Sequence, residues 1–286
     1  CTTLLREEWG FDGILITDAL EMKGISKYTW AGESAVRAVE AGSDIILLPL
    51  DEEKAISSIV DAVNSGRIPE SRINDSVARI WNAKNELGVL NSYSNTDWDN
   101  LSKTVGKPEH FKVAQDIARK SITVIKDNGQ LPLKPEKINS LTHMILTTDD
   151  GAKSRLEAFS RNIRFTHKNV NEIFVNEKLS SLRIKELVQR VKSSDKILIS
   201  LLVRIRMDKG ISTIDPSHAE LISAIENEGS DIIVVSFGSP YLNSYEDIDT
   251  YICSYGYGDV TLKATSDILW GRVPASGKLP VDLNQQ

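Results

Sequence analysis

Gly13-Ile14-Leu15-Ile16-Thr17-Asp18-Ala19-Leu20-Glu21-Met22 is the stretch whose reading decides the fold. Its first half is short, apolar and rich in β-branched side chains, and Phe11-Asp12-Gly13 closes it on the N-terminal side. Such a run suits a parallel strand covered on both faces. Asp18 then falls at the C-terminal tip of that strand, where parallel α/β enzymes keep their chemistry. The same position suits a helix cap, so position alone leaves Asp18 open between capping and catalysis.

The flanking residues alternate helix and strand signals. Thr2 to Glu8 reads as the last turns of a helix ended by Gly10, and Ala31, Ala35, Ala38 and Val39 recur at helical spacing before Gly42. Ile45-Ile46-Leu47-Leu48 is a second buried strand closed by Pro49. Ile56, Ile59, Val60 and Val63 mark a helix stopped by Gly66. Pro69 opens another, with Ile73, Val77, Ile80, Trp81 and Leu87 on its apolar face before Gly88. This βαβα order implies a parallel sheet. Two strands are too few for a stable domain of this kind, and a complete (β/α)8 barrel needs ~250 residues. Either this is a small open sheet or it is the end of a TIM-type barrel, its last two βα units, whose beginning is not in the chain; Cys1 standing where an initiating Met would favours the second. Such a piece would leave apolar strand edges exposed.

Val89 to His110 is polar and reads as an interdomain linker with a short helical turn. The expected layout is a barrel fragment over 1–90, a linker over 91–110 and an α/β sandwich domain over 111–286. In this last part a helix is expected at about 108–119 and a strand at Ile122-Thr123-Val124-Ile125. Further strands are expected at Met144-Ile145-Leu146, at 197–202 and at Ile232-Ile233-Val234-Val235. Helices are expected at about 181–192 and 216–228 and from Val260 to Leu269, before a closing loop from Pro274 to Pro280.

Composition excludes several classes. The 286 residues suggest about two domains, and 41% apolar content is ordinary for a globular chain. No segment approaches the ~18 consecutive apolar residues of a membrane span. A mixed net charge of -6, without a basic stripe interleaved with aromatics, argues against a nucleic-acid partner. Arg204 and Arg206 alternate with Val203 and Ile205 as on a solvated strand face. Cys1 and Cys253 support neither a disulfide scaffold nor a zinc site, and His110, His143, His167 and His218 show no ligand spacing. No metal is expected.

Phosphate-binding glycine loops and the Gly-x-Ser-x-Gly elbow are missing from the sequence. Pro240 in the Gly238-Ser239-Pro240 turn removes a backbone donor that phosphate would want. Ser200 and Ser236 read as buried strand hydroxyls. Tyr255 and Tyr257 around Gly256 could stack on a sugar, although a core or interface role is favoured. Met22 could floor a pocket or fill core, and Glu21 reads as a solvated loop charge.

Taken as a set, these residues resemble glycoside hydrolase family 3. Leu4 through Met22 is similar to the family's nucleophile region, and Thr-Asp-Ala-Leu-x-Met is nearer its β-N-acetylglucosaminidase branch than its β-glucosidases. Ala41-Gly42-Ser43-Asp44-Ile45 with Pro49, and Arg72 through Ile80, follow in the family's order. Ser121 through Lys126 with Leu131-Pro132-Leu133 resembles the entry to its C-terminal α/β sandwich. Ser236 through Tyr241 and Gly271 through Val281 resemble that domain's final strand and closing loop, whereas about 150–195 carries the weakest likeness.

The resemblance implies retaining hydrolysis of β-linked N-acetylglucosamine from peptidoglycan fragments or chitin-type oligosaccharides. Asp18 would be the covalent nucleophile and Met22 a substrate contact, with no cofactor. It also implies a histidine proton donor on a loop upstream of residue 1, for which this sequence has no counterpart, so the chain alone is expected to be inactive. A phosphorylase and a non-catalytic carbohydrate-binding or scaffold protein are the alternatives. The two-domain layout leans towards an exported enzyme.

Overall fold

A computed structural model describes residues 2–22, 30–90, 98–202, 214–242 and 248–283. Cys1 and the Arg204/Arg206 pair lie outside the described residues. The chain divides into two compact units, Cys1–Trp98 and Asp99–Gln286.

In the first unit a wide helical turn, Thr2–Glu8, gives way to Gly10, whose φ of 65° lets the chain reverse as only glycine does easily. Residues 13–17 then run parallel to residues 45–48 but share only one isolated bridge, Ile16 to Ile45, so the two buried strands expected here are short, partly exposed segments rather than a paired ladder. Three helices accompany these strands: α1 (Ala31–Glu40), α2 (Glu52–Asn64) and α3 (Glu70–Glu86). Asp51 caps α2 by accepting from Lys54 N. Their cores are small, formed by Val36, Val39, Ala62 and Ile68 and by Leu20, Ala35 and Ala55. The expected exposed strand edge is present, since Ile16 is 57% and Leu48 52% exposed.

The helix α4 (Trp98–Thr104) supplies the helical turn expected between Val89 and His110, and α5 (Pro108–Ser121) follows it. The second unit is built on a six-stranded sheet comprising β1 (Thr123–Lys126), β2 (Leu141–Leu146), β3 (Val170–Val175), β4 (Lys196–Leu201), β5 (Ile232–Ser236) and β6 (Tyr251–Cys253). Their spatial order is β1-β6-β5-β4-β2-β3, with β1 antiparallel at one edge and all other pairs parallel. The crossovers are α6 (Lys153–Thr166), α7 (Ser181–Val191) and α8 (Pro216–Asn227), and α9 (Asp259–Leu269) follows β6.

Alternate strand residues feed two cores. Ile145, Leu198, Ile233, Val235 and Ile252 pack with Leu156, Phe159 and Ile163 of α6 and with Leu262 and Ile268 of α9. Met144, Ile199, Val234 and Tyr251 pack with Leu187 of α7 and Leu221 and Ile225 of α8. Both faces are dry, so the strands read as unbroken apolar runs. This is an α/β sandwich, as the sequence implies. Strands β3 and β6 and helix α6 were not anticipated. β3 is Val-Asn-Glu-Ile-Phe-Val, which at the sheet edge carries two polar residues among its six, and β6 is only three residues long.

Candidate active site

Asp18 stands at the tip of the 13–17 strand and is exposed. Its Oδ1 accepts from Ala19 N at 2.8 Å. The backbone around it is tied down on both sides. Thr17 N donates to Ile45 O (3.1 Å), Leu20 N to Leu47 O (3.0 Å) and Glu21 N to Leu48 O (3.1 Å). Leu48 holds a left-handed φ of 41°, which is rare for a bulky side chain and turns its carbonyl towards this loop. Glu21 is exposed, and Met22 is half-buried with its N–H on Ala19 O at 3.3 Å.

At the start of the 44–48 segment, the side chain of Asp44 is buried and surrounded by donors. Oδ2 accepts from Arg6 Nη2 at 2.7 Å and Leu15 N at 2.9 Å. Oδ1 accepts from Ser76 Oγ at 2.6 Å and Arg79 Nη1 at 3.0 Å, and Arg72 Nη1 lies 3.6 Å away. Burial pushes its carboxyl up, but hydrogen bonds from Ser76, Leu15 and Arg79 outweigh this and hold it below the usual range. Arg6 also donates to Phe11 O (2.9 Å) and Gly13 O (2.6 Å), fixing the turn that enters the Asp18 strand. Sequence reading quoted Asp44, Arg72 and Arg79 without a role. The usable signal was the i, i+4, i+7 spacing of Arg72, Ser76 and Arg79 on α3.

A cavity of about 460 Å³ opens beside this cluster, lined by Thr2, Arg6, Arg67, Arg72 and Arg79 among others. Its cations are already engaged. Arg6, Arg72 and Arg79 pair with Asp44, and Arg67 with Glu33 and Glu40. Asp18 is not among the residues that line this cavity.

The four histidines all belong to the second unit. His143 is buried in β2 between Ser160 Oγ (2.5 Å) and Ser200 Oγ (2.7 Å). Desolvation, then Arg164, lowers its pKa to about 3. His218 Nε2 pairs with Glu177 O at 2.9 Å, and His167 is buried beside Trp270. Only His110, on α5, is exposed. Ser200 and Ser236 are fully buried, as the sequence suggested, and burial pushes the Cys253 thiol up to about 12, leaving it inert. Tyr255 and Tyr257 are half-buried, with Tyr255 Oη on Thr123 Oγ1 at 3.1 Å and Arg155 over the Tyr257 ring at 5.8 Å. No cluster of potential metal ligands occurs among the described residues, and none of their helices is long and apolar enough to cross a membrane.

Residues 1–83 match the model of the glycosyl hydrolase family 3 N terminal domain, and residues 47–286 that of the family 3 C-terminal domain. Beta-hexosaminidase A of Pseudoalteromonas piscicida is 28% identical over 173 residues, 56% of this chain and 28% of that protein. A beta-N-acetylglucosaminidase/beta-glucosidase of Cellulomonas fimi is 24% identical over 295 residues, 98% of this chain and 51% of that protein. The structure of a β-N-acetylglucosaminidase from Paenibacillus sp. str. FPU-7 superposes with a TM-score of 0.77 at 27% identity, covering 98% of this chain and 53% of that one. The chain spans about half the length of the relatives it matches end to end.

Proposed function

As the chain belongs to glycosyl hydrolase family 3, we propose that it is the nucleophile-bearing part of a retaining β-N-acetylglucosaminidase. Its substrates would be peptidoglycan fragments or chitin-type oligosaccharides. The observation that carries this is Asp18, exposed beyond the 13–17 run with Oδ1 held by Ala19 N. In the proposed reaction Oδ2 attacks the anomeric carbon as the glycosidic C–O bond breaks, and the leaving oxygen takes a proton from a second group. Water then attacks the glycosyl ester and returns Asp18 as carboxylate. Displacement at an acetal carbon needs no metal or organic cofactor. Met22 would contact the bound sugar.

The proton donor in this reading is a histidine outside residues 1–286. Its support is that His143, His167 and His218 are buried, while the exposed His110 lies on α5, after the nucleophile region and without the family's histidine-loop context. Accordingly the 286-residue chain by itself should release no phenol from an aryl β-N-acetylglucosaminide; turnover that disappears in Asp18→Ala would place the donor within the chain. When the missing donor is supplied, Asp18→Ala should cut turnover by roughly 1,000-fold or more, and an activated fluoroglycoside should label Asp18. Full activity in that variant would remove Asp18 from the mechanism. Run in phosphate, the same assay separates free sugar from a sugar 1-phosphate, and binding without turnover would mark a carbohydrate-binding scaffold.

A further inference from the structure

On the Asp18 side of its single bridge, the hydrogen bonding departs from a regular parallel ladder. Ile16 and Ile45 form a normal bridge, with Ile45 N on Leu15 O and Thr17 N on Ile45 O, both at 3.1 Å. The next rung of such a ladder would run from Leu47 N–H to the Thr17 carbonyl. Here that N–H donates to the side chain instead, to Thr17 Oγ1 at 2.9 Å. The hydroxyl satisfies Leu47 and lets the main chain leave the sheet at Thr17. Asp18 is thereby lifted clear of the ladder without leaving a backbone donor unpaired.

Two residues later the chain comes back to the same strand, because Leu20 N donates to Leu47 O at 3.0 Å. Asp18 and Ala19 thus form a short arch with both feet on Leu47, one on its N–H and one on its carbonyl. The left-handed Leu48 turns its own carbonyl to Glu21 N and extends the second foot. A non-glycine residue in that conformation stores backbone strain, which persists where the surroundings require it.

We propose that Thr17 is a positioning residue for Asp18, its hydroxyl replacing a ladder rung so that the carboxylate is presented above the strand tip in one orientation. This rests on the reading of Asp18 as nucleophile. Thr17→Val keeps the shape and removes the acceptor. The arch then loses its first foot: the Leu47 N–H turns to water, Leu47 being 42% exposed, or restores the regular rung to the Thr17 carbonyl and draws Asp18 back towards the sheet.

The test is nuclear magnetic resonance on the 286-residue chain, using three-bond couplings for the Asp18 side chain and hydrogen exchange for the Leu20 and Leu47 amides. The unaltered chain should show one Asp18 rotamer and protection of both amides. In Thr17→Val the rotamers should average and Leu20 exchange should rise at least tenfold, with a melting temperature within a few degrees of the original. Thr17→Ser, which keeps the acceptor, should restore the original values. An unprotected Leu47 amide in the unaltered chain, an unchanged Asp18 rotamer in Thr17→Val, or global unfolding of Thr17→Val would each overturn the proposal. Fluoroglycoside labelling is read separately. If Asp18 is never labelled while the arch holds, the nucleophile assignment fails and Thr17 positions a loop of another purpose.

Discussion

Asp44 keeps a full negative charge with no solvent exposure because four hydrogen bonds and three guanidinium groups converge on it. Removing one partner of such a cluster leaves like charges facing one another, a loss of about 3–5 kcal/mol. Asp44→Ala should therefore lower the stability of the first unit by roughly 3 kcal/mol, read from urea midpoints. The folded carboxyl is held below its usual range, so its contribution is present above the unfolded pKa of about 4 and is lost as pH falls below it. Melting between pH 6 and 3 should fall less steeply in Asp44→Asn than in the original. His143 acts at higher pH. It is neutral in the fold down to about 3, whereas an unfolded histidine takes a proton near 6.5. Its cost is absent above about 6.5 and grows by on the order of 1 kcal/mol for each pH unit below it. The second unit should lose stability from pH 6.5 downwards, and His143→Gln should flatten that slope. The histidine and its two serines were legible as residues, but their pairing across 17 and 57 positions was not.

At the scale of elements, helices were the easiest to foresee. Their apolar faces repeat every three or four residues and glycines mark their ends. Gly10, Gly42, Gly66 and Gly88 all adopt positive φ where the sequence stops a helix. Strands buried on both faces were equally visible as apolar runs. β3 and β6 escaped because the Asn-Glu pair interrupts the apolar run of the edge strand and a three-residue strand carries no period. The closing loop was seen as a loop, but its fit was not. Gly277 donates to Ile122 O at 3.1 Å, and a Cβ at this position would collide with the carbonyl oxygens of Ser121 and Ile122. Gly277→Ala should cost about 1–3 kcal/mol, seen as a lower melting temperature for the second unit. An unchanged midpoint would mean the loop moves aside freely.

For the whole molecule, burial is unevenly divided. The second unit carries two large cores on either side of its sheet, whereas the first has small ones and exposes Trp9, Ile16, Leu47 and Leu48. Residues 99–286 expressed alone should unfold in one cooperative transition, while residues 2–98 alone should bind a hydrophobic dye strongly. Dye-free, cooperative melting of the smaller piece would show that its strands find adequate cover. By itself the sequence determined where most helices and the doubly buried strands of the second unit lie, and that Asp18 follows the apolar run 13–17. These follow from apolar periodicity and glycine freedom, which act within a window of a few residues. Only the tertiary structure decided that Leu47 meets the Thr17 hydroxyl rather than its carbonyl, that three arginines close on Asp44, and that β6 lies between β1 and β5. The physical reason is that a hydrogen bond or a strand pairing needs distant backbone and side-chain atoms within about 3 Å, and the folded path of the chain sets that separation.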